Sequence, residues 1–70
     1  MMPLVFADKG KKLQIMQIKG NAETKQHLAD LGFTVGGDIT VISESGGSLI
    51  VSVKESRVAL GRDMAVKIMV

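Results

Sequence analysis

Apolar positions along this chain come in short runs, and glycines at Gly10, Gly20, Gly32, Gly36-Gly37, Gly46-Gly47 and Gly61 separate them. Frequent turn residues between brief apolar segments predict a small all-β sandwich or barrel. The first strand is predicted over Leu13–Ile18. Its alternation is blurred, because Leu13 and Ile15 point one way while Met16 and Ile18 point the other. A strand apolar on both faces is either fully buried or has one face against something else. After a turn at Val35-Gly36-Gly37-Asp38, two clearer strands follow. In one, Ile39 and Val41 alternate with Thr40 and Ile42; in the other, Leu49, Val51 and Val53 alternate with Ile50, Ser52 and Lys54. The intervening Ser43-Glu44-Ser45-Gly46-Gly47-Ser48 predicts a hairpin loop, since Gly46 and Gly47 readily supply positive φ.

One segment has the helical period instead. Asn21 is a suitable N-cap for Ala22–Leu31, its side-chain oxygen able to accept from an orphan N–H of the first turn. Ala22, Leu28, Ala29 and Leu31 form the expected apolar side, and Glu23, Lys25, Gln26 and Asp30 the polar one. Gly32 stands where a left-handed residue ends a helix, with Leu28 and Phe33 spaced to make the hydrophobic contact of a Schellman stop.

The last segment, Arg57–Val70, has a mixed pattern. Leu60, Met64 and Ile68 recur at helical spacing, whereas Val58 with Leu60, and Val66 with Ile68 and Val70, alternate as strands do. A helix interior would place Gly61 at a cost of about 1 kcal/mol relative to alanine, and β-branched residues dominate the end. Two short strands joined by a helical turn at Arg62-Asp63-Met64-Ala65 are therefore expected. The sum is a mainly β domain with one short helix: a small SH3-like β-barrel of about five strands.

Length changes this picture little. Seventy residues suit one domain spanning residues 1–70, which buries only roughly 60% of its unfolded surface. Cysteine is absent, so neither disulfides nor thiolate metal clusters hold the fold, and the aliphatic share of the 46% hydrophobic residues must do so. No run approaches the roughly 20 apolar residues of a bilayer span. The opening Met1-Met2-Pro3-Leu4-Val5-Phe6 lacks the basic stretch and cleavage site of a signal peptide, so a cytoplasmic location is expected. The net charge of +2 is small but uneven. Lys9, Lys11 and Lys12 cluster in a way that either steers the chain toward an acidic surface or simply keeps a loop solvated.

Candidate chemistry is sparse. A nucleophile needs a base within reach, and the single histidine, His27, lies on the boundary of the helix away from the serines at 43, 45, 48, 52 and 56. His27 and Glu23, one turn apart, make at most half a metal site. Catalytic, cofactor and metal sites are accordingly expected to be absent. The Gly32–Gly37 stretch lacks the Lys-Ser/Thr of a phosphate loop. With Phe6 and Phe33 as the only aromatics, neither base stacking on nucleic acid nor an aromatic groove for proline-rich peptides is available. What remains is a surplus of apolar residues: Met16, Ile18, Ile42, Ile50 and Met69 lie opposite the core-facing sets. Either tertiary structure covers them or they form a docking patch. The expected partner-binding set is Met16 as an apolar anchor with Lys9, Lys11, Lys12, Arg57 and Arg62 as rim charges. Leu28, Gly32, Phe33, Gly36, Gly46 and Gly47 are expected to shape the turns.

The ordered run Leu28-x-x-Leu31-Gly32-Phe33-x-x-Gly36-x-x-Ile39-x-Val41, then a Gly-rich hairpin, Val51-x-Val53, Ala59-Leu60, Ala65, Ile68 and Val70, resembles the FeoA family. Pro3-Leu4 and Gly10 extend the resemblance over essentially the whole chain. It implies an SH3-like barrel acting as a small cytoplasmic accessory of bacterial ferrous-iron transport, associated with a FeoB permease that carries a cytoplasmic GTP-binding domain. Similar domains form the C-terminal part of iron-dependent repressors, which implies an alternative role as a ligand-binding module in metal-linked regulation. Val35 stands where the family often has proline, Ser45-Gly46-Gly47 lacks a proline often found there, and Lys54-Glu55 replaces a frequent glycine. The family supplies no catalytic residues to carry over.

Overall fold

The hairpin of β3 (Asp38–Ser45) and β4 (Ser48–Val53) is the centre of the computed structural model, which describes residues 1–70. Strand pairing runs to Ser45↔Ser48, so the turn is only Gly46-Gly47, with φ of +55° and +82°. The loop expected over Ser43–Ser48 is thus mostly strand, because a two-residue turn with both φ positive matches strand twist and lets pairing continue to its edge. Ile42 is the extra residue of a β-bulge: Val41 faces Val51, yet Ser43 faces Ile50. Along β4 the period-two pattern is clean, with Leu49, Val51 and Val53 buried and Ser48, Ile50 and Ser52 facing outward.

β1 (Lys12–Gln14) pairs with β3, and β5 (Ser56–Gly61) pairs with β4, giving a four-stranded antiparallel sheet in the order β1-β3-β4-β5. The β4–β5 turn is Lys54-Glu55, and both residues have left-handed backbones, with φ of +48° and +64°. Side chains with a Cβ hold that geometry at a cost of about 1–2 kcal/mol each, so the turn carries strain. α2 (Arg62–Ala65) is one turn long and leads to β6 (Ile68–Met69).

The expected single strand Leu13–Ile18 is instead two. Ile15 is fully buried, its N–H donating to Gly37 and its carbonyl accepting from Gly36. Beyond it the chain changes partner, and β2 (Gln17–Ile18) pairs with β6 in a second sheet. The doubled apolar pattern marks a corner at which the chain leaves one sheet for the other. Pro3 bridges to Met69, and Met2 and Val70 exchange two backbone bonds of 2.8 Å, so the N-terminal segment flanks β6 on its other side. This small sheet folds over the barrel end and explains why Ile18 and Met69, read as surplus, are each only 8% exposed. It also raises the strand count to six. Val66 takes no part in β6, since it caps α2 and its N–H donates back to Arg62.

α1 (Ala22–Asp30) follows β2 directly and lies beside it, with Lys25 and Ala29 near Ile18. The Asn21 Oδ1 accepts from the Thr24 N–H at 2.8 Å. At the far end Gly32 takes φ +103°, the Gly32 N–H donates to Ala29 and the Phe33 N–H to Leu28, each at 2.9 Å. These are the two bonds of a Schellman stop. Leu28 and Phe33 are both fully buried, a contribution of about 1.5–3 kcal/mol each. The rest of the expected apolar side of the helix is not inside: Ala22 and Leu31 are exposed and Ala29 is half-buried. A nine-residue helix capping a small barrel reaches the core with one residue, Leu28. The core itself is wholly apolar, running from Leu4 and Ile15 through Phe33 and the inner faces of β3, β4 and β5 to Ala65 and Ile68.

Candidate docking surfaces

Of the apolar residues that sequence alone places outside the core, the structure leaves Met16 and Ile42 exposed and Ile50 half-buried. Met16 follows the corner between β1 and β2, where the turn of the chain swings its side chain away from the barrel; it is 54% exposed. Across from it the turn Thr34-Val35-Gly36-Gly37 closes with a Gly37 N–H to Thr34 carbonyl bond of 3.0 Å, and Gly36 has φ +90°. That is a type II turn, with Val35 at its second position. Val35 is held out into solvent there, 64% exposed.

Between Met16 and Val35 lies a shallow groove of about 400 Å³. Its floor is Ile18 and Phe33, and Ala29 and Lys25 of α1 form the third side. Lys25 and Ala29 are one helical turn apart and so share a face. Lys25 is in no ion pair within the chain, which leaves a free ammonium beside an apolar trough. Periodicity alone does not join Lys25, Ala29 and Val35 in one surface. The i, i+4 spacing on α1 was a usable signal, but the arrival of Val35 opposite Met16 depends on the corner at Ile15.

The expected rim charges lie elsewhere. Lys11 pairs with Asp8 at 3.4 Å and Lys12 with Asp38 at 3.3 Å, while Lys9 is exposed without an ion partner. Arg62 bonds Glu44 at 2.5 Å, and its N–H donates to Gly47, which ties the β3–β4 turn to the start of α2. Surface pairs of this kind contribute about 0–1 kcal/mol. Lys12, Thr40, Ser52 and Arg57 stand in register across the outer face of the four-stranded sheet. Lys12 and Arg57 therefore mark its two edges, roughly 14 Å apart. Near this row Lys12, Asp38, Thr40, Ser52, Lys54 and Glu55 border a second, polar groove of about 420 Å³. His27 and Glu23 both point to solvent on α1, and no three His, Cys, Asp or Glu side chains converge anywhere in the chain.

This arrangement of barrel, capping helix and small second sheet matches a known domain. The model of the FeoA domain matches residues 2–70. The chain belongs to the FeoA family. A candidate Fe(2+) transport protein A of Methanocaldococcus jannaschii is 37% identical over all 70 residues, which span 85% of that protein. A crystal structure of an iron uptake regulatory protein, FeoA, superposes with a TM-score of 0.87 at 35% identity, covering 97% of this chain and 90% of the other. FeoA of Stenotrophomonas maltophilia, solved with zinc and described as an SH3-domain protein, shares the fold at a TM-score of 0.82 and 21% identity, covering 99% of this chain and 88% of that one. The same fold occurs within ScaR, solved with bound Zn²⁺, at a TM-score of 0.87 and 17% identity, where this chain spans 35% of the larger protein. The chain is thus a FeoA-family domain with an SH3-like barrel, and the same fold occurs within a manganese-dependent transcriptional repressor at a TM-score of 0.84 and 19% identity, where this chain spans 38% of the larger protein.

Proposed function

We propose that this FeoA chain is a non-catalytic accessory of ferrous-iron uptake that docks on the cytoplasmic side of a FeoB-type permease through the Met16–Val35 groove. The observation that carries the reading is the pair of exposed apolar walls, Met16 and Val35, standing over a floor of core residues. A partner side chain entering there extends the existing core, so apolar area is gained without rearranging the barrel. Methionine suits the role because its unbranched thioether adapts to the shape of an incoming side chain. Lys25 at the rim would meet an acidic group, while Lys9, Lys11, Lys12, Arg57 and Arg62, distributed beyond the groove, would accelerate encounter more than they hold the complex.

The test is capture of the permease from detergent-solubilised membranes by the tagged chain. Met16→Asp buries a charge in the docked state and should lower affinity by at least about thirtyfold, corresponding to about 2 kcal/mol or more for an apolar anchor. Met16 is more than half exposed, so the isolated variant should stay folded. Lys11→Glu with Lys12→Glu should slow association and flatten its salt dependence, with dissociation little altered. Undiminished capture by folded Met16→Asp would remove the groove from consideration. The second reading, a ligand-binding module of metal-linked regulation, draws on the shared fold with ScaR, and it ranks lower because that likeness concerns the fold alone and no ligand set converges here.

A further inference from the structure

β5 leaves a row of backbone groups without partners. It is the outermost strand of the four-stranded sheet and pairs only with β4. The two-residue turn is closed by Val53 and Ser56, so the hydrogen-bonded pairs are Val53–Ser56, Val51–Val58 and Leu49–Leu60. The N–H and C=O groups of Arg57 and Ala59 then point away from β4, and no loop or terminus of the chain bonds to them. Both side chains are exposed on the outer face. β1, the opposite edge, is three residues long and places Lys12 in an ion pair; β5 is six residues long, and Arg57 has no carboxylate partner. Proteins ordinarily shorten, bulge or cover such an edge.

We infer that β5 is a strand-addition site for an extended acidic segment of a partner protein. An added strand satisfies the Arg57 and Ala59 backbone groups in one register. Its outer-face residue opposite Arg57 is then a carboxylate, and the small Ala59 beside it leaves room for a large side chain at the neighbouring outer position. The Asp63 carboxylate covers the outer side of Gly61, so the acidic residue belongs at the Arg57 end of the added strand. On the inner face, its apolar residues cover the half-buried Val58. A second copy of this chain fits less well. Centred on Ala59, two-fold pairing of β5 with itself sets Arg57 opposite Gly61 with the Asp63 carboxylate beside it, the one register with complementary charge. Centred on Arg57 or Val58, it sets the two Arg57 side chains opposite or diagonal to one another. Like charges so placed oppose association. This edge is separate from the Met16–Val35 groove and does not depend on it.

The test uses the ¹⁵N-labelled 70-residue chain and an eight-residue peptide with aspartates on one face and valines on the other. Binding should shift the amides from Arg57 to Gly61 and slow hydrogen exchange at Ala59. A peptide with lysine in place of aspartate should bind about fivefold more weakly or worse, and Arg57→Glu should reverse that preference. Ala59→Pro removes a donor that β4 does not use, which edge strands tolerate, and should abolish binding; should it unfold the chain, the charge reversal alone decides. Met16→Asp should leave peptide binding unchanged. The inference is overturned by unmoved β5 amides at saturating peptide, by shifts confined to Met16 and Val35, or by protection of Ala59 that rises with protein concentration in the absence of peptide, which would make a second copy the occupant.

Discussion

Replacing Gly32 with alanine isolates the backbone cost of ending α1. A Cβ built at Gly32 lies 3.7 Å from Lys54 Cδ and Val53 Cγ1 and 3.8 Å from Val53 Cγ2. Those are ordinary contacts, so alanine fits the space and the penalty comes from φ of +103°. Holding an L-residue in that region costs about 1–2 kcal/mol. The smaller unfolded-state entropy of alanine returns about 0.4–1 kcal/mol. The net loss is about 1 kcal/mol, which for a domain of this size lowers Tm by about 4–8 °C. Valine adds γ-methyls toward Val53 and should cost more, whereas asparagine, which tolerates positive φ, should cost less. Thermal melts followed by circular dichroism, with urea titrations to check that the m-value is unchanged, provide the comparison. An alanine variant melting at or above the parent would refute the left-handed stop, and with it the positioning of Phe33 beneath the groove.

Glu55→Gly relieves one left-handed residue of the β4–β5 turn and should stabilise the chain by about 0.5–1 kcal/mol, the same terms acting with opposite sign; a lower melting temperature would show that the Glu55 side chain makes a compensating contact. Val35→Pro suits the second position of a type II turn and removes an N–H that bonds nothing, so a gain of about 0.4–1 kcal/mol is expected in the same melts. Anaerobic calorimetry with Fe²⁺ should give no stoichiometric site of micromolar affinity; a site lost in His27→Ala would contradict the reading of α1 as carrying only a solvated histidine.

Local determinants made some of this architecture readable and long-range ones concealed the rest. The helix cap at Asn21 and the stop at Leu28, Gly32 and Phe33 have all their partners within a few residues, so the sequence states them directly. The Gly46-Gly47 turn and the alternation of β4 are equally local. The break at Ile15 is not, since its bonds go to Gly36 and Gly37, more than twenty residues on. Nor could periodicity show that Ile18 and Met69 cover each other's strands in a second sheet, or that Met2 and Val70 lie side by side. The candidate groove inherits this limit. Met16 was visible as an apolar residue out of phase, but Val35 and Lys25 join it only after the corner and the Schellman stop have both been made.

Docking through that groove is open to direct test by amide chemical-shift mapping. The ¹⁵N-labelled chain would be titrated with the cytoplasmic GTP-binding domain of a FeoB-type permease, the proposed partner, and separately with that intact permease in detergent, read through line broadening. The strongest changes should fall on Met16, Ile18, Lys25, Ala29, Phe33 and Val35, and Met16→Asp should remove them while its free spectrum stays that of a folded barrel. Perturbation confined to β5 or to the Lys12–Arg57 face, with these groove amides unmoved, would contradict docking through the groove.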